Sequence, residues 1–144
     1  MMMKTVNRIL QNKPAFVFSV SPHDSVLEAL RLMMEKNISA LLVVEQGKLL
    51  GIFTERDYAR KIILQGKSSK DTPIYEVMTP DPCTITALES IDYCMELMTE
   101  KHFRHLPVVE NGLIIGMLSI GDLVKHIIED QKQTINQLET YINS

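Results

Sequence analysis

Long apolar runs are missing from this chain: no stretch approaches 18 uninterrupted apolar residues, so no membrane span is expected. The start, Met1 to Arg8, lacks the apolar centre of a signal peptide. Cysteine is scarce, and Cys83 with Cys94 does not make a disulfide framework. Cys94 falls on a predicted helix where an earlier, similar stretch has Ala29, which reads as a small buried thiol. Charge of one sign is not in excess either. A net charge of −3 does not supply the basic face that a nucleic-acid surface needs. No glycine-rich phosphate loop of the dinucleotide or Walker type occurs. No Ser-His-Asp spacing is compelling, and the close pair His102 and His105 has no third ligand nearby for zinc. The cytoplasm is the expected compartment. What remains is 144 residues, 45% hydrophobic, enough for one compact domain with a real core.

What the chain does have is an internal duplication. Shifted by 65 residues, it matches itself without a gap from Val20 over Ile85 to Ala59 over Val124. Gly51-Ile52-Phe53-Thr54-Glu55-Arg56-Asp57 returns as Gly116-Met117-Leu118-Ser119-Ile120-Gly121-Asp122. Leu41 to Gly47 lies over Leu106 to Gly112. The period is too long for a solenoid unit and fits two copies of a small βαββα unit.

In chain order, residues 5–12 read as an amphipathic helix carrying Val6, Ile9 and Leu10, ended by Pro14. Ala15 to Val20 is apolar enough for a strand. Ser25-Val26-Leu27-Glu28 is a capping box. Behind it Val26, Leu27, Leu30, Met33 and Met34 recur at helical spacing, which predicts core methionines, and Asn37 stops the helix. Ala40 to Val44 is a continuous apolar run, as in a strand buried on both faces. Gln46-Gly47 and Asn111-Gly112 are hairpin turns, each followed by a return strand. Thr54 starts a helix to about Leu64. Residues 65–73 read as a polar linker, followed by one helical turn over Ile74 to Met78 and an extended Thr79-Pro80-Asp81-Pro82. The second copy predicts a strand at Thr84-Ile85, a helix over 90–101, strands over 105–109 and 113–118, and a helix from Ser119 to about Tyr141. The corresponding division is a first repeat with its N-terminal helix (1–64), a linker (65–80), a second repeat (81–130) and a helical extension (131–144).

The repeated motif places a hydroxyl at a helix N-cap and a carboxylate three positions later, Thr54 with Asp57 and Ser119 with Asp122. Capping accounts for either copy alone. A second reading stays open beside it. A strand running into a helix N-terminus is an anion site, yet an Asp beside it repels phosphate. A ligand with a diol for the carboxylate and a phosphate for the amides satisfies both, and that is a nucleotide. The glycine opening each strand segment also suits close approach by a ligand or another backbone.

With its doubled G-h-x-[ST]-x-x-D signature, Met78-Thr79-Pro80 before the second copy, and Arg104-His105-Leu106-Pro107-Val108-Val109, the chain resembles a CBS-domain pair, or Bateman module, of the stand-alone type. The resemblance covers about residues 6–130 and implies an α/β (α+β) fold of two βαββα repeats related by pseudo-two-fold symmetry. It also implies adenosyl ligands (AMP, ADP, ATP, NAD(H)-type dinucleotides or S-adenosylmethionine) in two clefts between the copies, with no catalytic cofactor and no metal. Carried over residue by residue, one cleft joins Thr54, Arg56 and Asp57 to Thr84, Thr86, Arg104 and His105. The other joins Ser119, Gly121 and Asp122 to Ser19, Ser21, Ile38 and Ser39. Arg104 and His105 fall where the family uses basic residues on phosphate, whereas Ser39 and Ala40 hold those places in the other copy. The Asp57 cleft is therefore expected to take more phosphate and the Asp122 cleft fewer charges.

The function this implies is a non-catalytic regulatory module for adenine-nucleotide or energy sensing, signalling to a protein target or to its own oligomer. The rivals are an interaction adaptor with non-functional clefts, such as a redox-partner regulator, and a nucleotide hydrolase with Asp57 or Asp122 as general base. No metal cluster or activated nucleophile accompanies either Asp, which disfavours the enzyme. At the C-terminus Ile128, Ile135 and Ile142 lie at heptad spacing with Leu138 between them, which predicts a homodimer with helices in contact between chains. No nucleic-acid or membrane partner is expected.

Overall fold

The computed structural model describes residues 4–13 and 17–143. Among these described residues, six strands and five α-helices follow the doubled βαββα order. In the first repeat these are β1 (Ser19–Val20), α2 (Val26–Lys36), β2 (Ala40–Glu45), β3 (Lys48–Thr54) and α3 (Glu55–Tyr58). The second has α4 (Ile91–Lys101), β5 (His105–Glu110), β6 (Leu113–Ser119) and α5 (Ile120–Asn143). Ahead of each repeat lies a lead-in: α1 (Val6–Leu10) before the first, and a 3-10 turn (Ile74–Glu76) with β4 (Thr79–Pro80) before the second.

The local chemistry explains most boundaries. The Ser25 and Ser90 hydroxyls accept the amides of Glu28 and Tyr93 and so start α2 and α4. Both helices end on left-handed residues, Asn37 (φ 54°) and His102 (φ 60°). Both hairpins turn through two positive-φ residues, Gln46-Gly47 and Asn111-Gly112, whose twist matches the flanking strands. A bulge precedes the turn at the same place in each, between Val43 and Val44 and between Val108 and Val109.

Several expectations change in detail. The strand over Ala15 to Val20 is Ser19–Val20; Pro14, Ala15 and Phe16 lie outside the described residues. The Thr84-Ile85 strand shrinks to one parallel bridge, Ile85 to Val108. The helix from Thr54 is α-helical only to Tyr58 and continues as a π-turn over Ala59–Ile63. Met33 is core but Met34 is 80% exposed. Met33 is seven residues after Val26 and stays in line with it, while Met34 turns a further ~100° off that face.

The two lead-ins are exchanged in space. Val6 and Ile9 of α1 are buried in the core of the second repeat with Ile91, Cys94, Leu106 and Leu118. Ile74 and Val77 are buried in the first repeat with Val26, Leu41, Val43 and Phe53. The backbone repeats the exchange: the Val6 and Asn7 amides donate to Glu89 and Ala87, and the Ile74 and Tyr75 amides donate to Asp24 and Pro22. Lead-in carbonyls in turn accept the first amides of the repeat helices, Thr72 from Val26 and Lys4 from Ile91. Each repeat helix therefore has its first amide satisfied by the chain leading into the other repeat. The linker is accordingly tethered rather than free; Thr72 is 6% exposed and its hydroxyl donates to Ser68 O at 2.6 Å.

The all-apolar β2 now has its reason. Leu41 and Val43 face α2, while Ala40 and Leu42 face a separate cluster with Ile52. Ile114 and Met117 of β6 pack on that cluster, so it is the seam between the repeats.

Candidate functional site

Two clefts open along this seam, of about 800 and 700 Å³, a size range common for small-molecule sites. Ser39, Glu55 and His105 line both and form the wall between them. Ser39 Oγ lies 3.3 Å from His105 Nε2. Burial holds the His105 imidazole below its ordinary pKa of 6.5, against the pull of Asp122 and with help from Lys13 and Arg104, so it is neutral at pH 7.

The smaller cleft gathers Thr54, Arg56 and Asp57 from the first repeat with Arg104 and His105 from the second. Thr84 and Thr86 are exposed and do not line it; Thr79 to Cys83 does. The cause is β4, which pairs with Gly51 and Ile52 and carries the chain across this side. Arg60, Lys61 and Lys101 add cations here, and Arg56 Nη1 donates to His102 O at 3.2 Å, tying one repeat to the other. Asp57 is 6% exposed and already satisfied. Its Oδ2 accepts the Thr54 amide and hydroxyl (3.0 and 3.1 Å), and its Oδ1 accepts Thr79 Oγ1 (3.0 Å) and faces Lys61 Nζ (3.1 Å). The motif is thus a capping box and an ion pair at once.

Of the residues expected at the larger cleft, Ile38, Ser39 and Ser119 line it. Ser19, Ser21, Gly121 and Asp122 do not; Val17, Phe18, Met117 and Lys13 hold those places. Ser21 is occupied in the turn before α2, where its hydroxyl accepts the His23 amide. Asp122 lies one bond back from the lining. Its Oδ2 accepts Lys13 Nζ at 2.7 Å and the Ser119 amide at 2.8 Å. Burial alone raises its pKa, but the bonds from Lys13 and Ser119 outweigh burial and hold the carboxyl below its ordinary value.

Lys13 is the functional candidate that comparing the repeats misses, because it precedes the duplicated stretch and is 109 residues from its partner. The glycines of the motif do mark close approach, though by protein. A Cβ on Gly51 would sit 2.6 Å from Met78 Sδ and 2.8 Å from Thr79 O, and one on Gly116 would sit 2.8 Å from Leu10 Cδ2. Among the described residues no group of three or more His, Cys, Asp or Glu is placed to hold a metal ion. No described helix is long and apolar enough to cross a membrane.

Tandem βαββα repeats with paired clefts at their seam define a two-repeat module whose sites belong to neither repeat alone. Residues 12–64 and 74–129 each match the CBS domain, and the chain belongs to the CBS-domain family as a tandem pair. It is 41% identical over 124 residues to the mitochondrial CBS domain-containing protein CBSX3 of Arabidopsis thaliana, covering 83% of this chain and 60% of that protein's length. A CBS-domain protein from Burkholderia ambifaria MC40-6 superposes with a TM-score of 0.86 at 50% identity, covering 89% of this chain and 96% of the other. Two more distant structures, each 27% identical, hold ligands. CBSX2 was solved with AMP (TM-score 0.73, covering 89% and 98%). The CBS pair of MJ0100 was solved with 5′-methylthioadenosine and S-adenosyl-L-methionine (TM-score 0.79, covering 90% and 99%).

Proposed function

We propose that this chain is a non-catalytic regulatory module that binds adenosyl nucleotides at the seam between its repeats and passes ligand state to a protein target or to its own homodimer. The observation that carries this reading is the pair of clefts divided by Ser39, Glu55 and His105, with cationic side chains in both. The AMP and S-adenosylmethionine complexes of related pairs support the ligand class. AMP, ADP, ATP and NAD(H) are the ligands to test first, because Arg56, Arg60, Lys101 and Arg104 together suit phosphate. Energy sensing follows if AMP and ATP compete. The homodimer reading draws support from α5, whose Ile128, Ile135, Leu138 and Ile142 are each 46–76% exposed.

The test is calorimetry with AMP and 2′-deoxy-AMP, beside mass spectrometry of nucleotide retained through native purification. A ribose read by a carboxylate gives AMP a preference of about ten-fold, the value of one charged hydrogen bond. Asp57→Asn, at the motif carboxylate that lines the smaller cleft, is then expected to bring the two ligands together. Absence of binding by AMP, ATP and NAD alike refutes the proposal. One observation favours an adaptor with closed clefts instead: both motif carboxylates already hold a lysine. That reading predicts no thermal shift with any of these ligands.

A further inference from the structure

Each motif carboxylate is neutralised by a lysine, but the two lysines come from different places. Lys61 is on the helix of its own motif, four residues after Asp57. The equivalent position in the second repeat is His126, and the cation comes instead from Lys13 on the exchanged lead-in. Their surroundings differ as well. Lys61 Nζ reaches three acceptors, Asp57 Oδ1 and the carbonyls of Val77 and Met78. Among the described residues Lys13 Nζ reaches two, Met117 O and Asp122 Oδ2, both at 2.7 Å. An ammonium carries three donors, so Lys13 keeps one while lining the larger cleft. Asp122 does not line that cleft. What an incoming ligand meets there is the cation, held in place by the carboxylate behind it.

We propose that Lys13 is the specificity-determining residue of the larger cleft, selecting adenosyl ligands that carry a phosphate over adenosyl ligands that carry none. Asp122 and Met117 O are its positioning partners. This rests on the nucleotide reading above. A phosphate gives the remaining Lys13 donor a charge-assisted acceptor. Adenosine or methylthioadenosine covers that donor and leaves it unmatched, and a sulfonium adds repulsion. The other charged groups on this cleft are Lys36, whose Nζ stands 5.4 Å from the Phe18 ring centroid, and Glu55, one of each sign. His105 on the dividing wall is neutral at pH 7.

The experiment compares AMP with adenosine by calorimetry on the full chain, in wild type, Lys13→Met, Lys13→Arg and Arg104→Ala. Lys13→Met keeps the length of the side chain and removes the charge. Wild type is expected to prefer AMP by about ten-fold or more, the size of one charge-assisted bond. In Lys13→Met the preference falls to within about three-fold at one of the two sites, with adenosine binding retained and the smaller cleft keeping the preference its own cations give it, and Lys13→Arg keeps the preference at both. Equal weakening of both ligands in Lys13→Met overturns the proposal, since it assigns Lys13 to holding the fold. A preference that survives Lys13→Met in full but is lost in Arg104→Ala also overturns it, by placing phosphate in the other cleft. A wild type that binds both ligands equally removes the role of Lys13 alone. A wild type that binds neither removes the nucleotide reading itself.

Discussion

Gly51→Ala and Gly116→Ala are the same substitution at matched positions of the two repeats, yet their outcomes should differ. At Gly51 the new methyl meets Met78 Sδ at 2.6 Å and the backbone oxygen of Thr79 at 2.8 Å. Met78 can rotate, but the carbonyl cannot move without β4, which is paired to Gly51 and Ile52. Overpacking against fixed atoms costs about 1–3 kcal/mol. Replacing glycine in an extended strand returns about 0.5–1 kcal/mol through the unfolded chain. The net for Gly51→Ala is a loss of about 1–2 kcal/mol. At Gly116 the contact is the tip of a flexible side chain, Leu10 Cδ2 at 2.8 Å. A rotamer change relieves it, and the two effects cancel to within about 0.5 kcal/mol. For a chain of this size, at about 2–4 °C per kcal/mol, Gly51→Ala should lower Tm by about 2–8 °C, with Gly116→Ala near wild type. Urea titration followed by circular dichroism, with calorimetric Tm, measures both. Equal losses, or a larger loss at Gly116, would refute the argument that backbone approach and not the glycine itself sets the cost. Thr79 also donates to Asp57, so Gly51→Ala is expected to disturb the smaller cleft as well.

Burial holds His105 and His126 below their ordinary value of 6.5, so the unfolded chain binds protons at these sites before the folded chain does. Their contribution is complete above pH ~6.5 and is lost as pH falls through the folded values, so urea stability should drop below pH ~6.5. His105→Gln should reduce that slope, and an unchanged slope would count against a buried neutral imidazole. Cys94 is fully buried, and burial with Glu89 nearby pushes its thiol up to about 11, whereas Cys83 is half-buried on the smaller cleft. Native protein at pH 8 should therefore take up one equivalent of alkylating agent, at Cys83, and modification of Cys94 without denaturant would contradict the core packing. For the proposed homodimer, deleting residues 131–144 should raise the dissociation constant in analytical ultracentrifugation, because two or three leucine-class side chains contribute about 1.5–3 kcal/mol each before association costs. An unchanged dimer would assign the contact to α2 and α4 instead.

The sequence by itself determined what depends on residues close in the chain or on its repetition. The duplication, the Ser25 and Ser90 caps, the left-handed stops at Asn37 and His102, and the two hairpins rest on local backbone chemistry that a few side chains specify. The apolar run of β2 declared a strand buried twice, although not by what. Tertiary structure decided what covers each face. Met33 and Met34 are alike as apolar residues, and the face that α2 turns to the core takes Met33 and leaves Met34 outside. It also decided which lead-in serves which repeat, since α1 precedes the first repeat but is buried in the second. The clefts divide the same way. The motif residues Thr54, Asp57 and Ser119 were legible because they repeat; Thr84, Thr86, Ser19 and Ser21 gave place to Thr79 to Cys83, Val17 and Phe18 because the chain path near β4 and β1 is set by strand pairing. Lys13 shows the limit most plainly. It has no counterpart at the repeat spacing, and nothing local to it points to Asp122, because a contact across 109 residues exists only once both cores have closed.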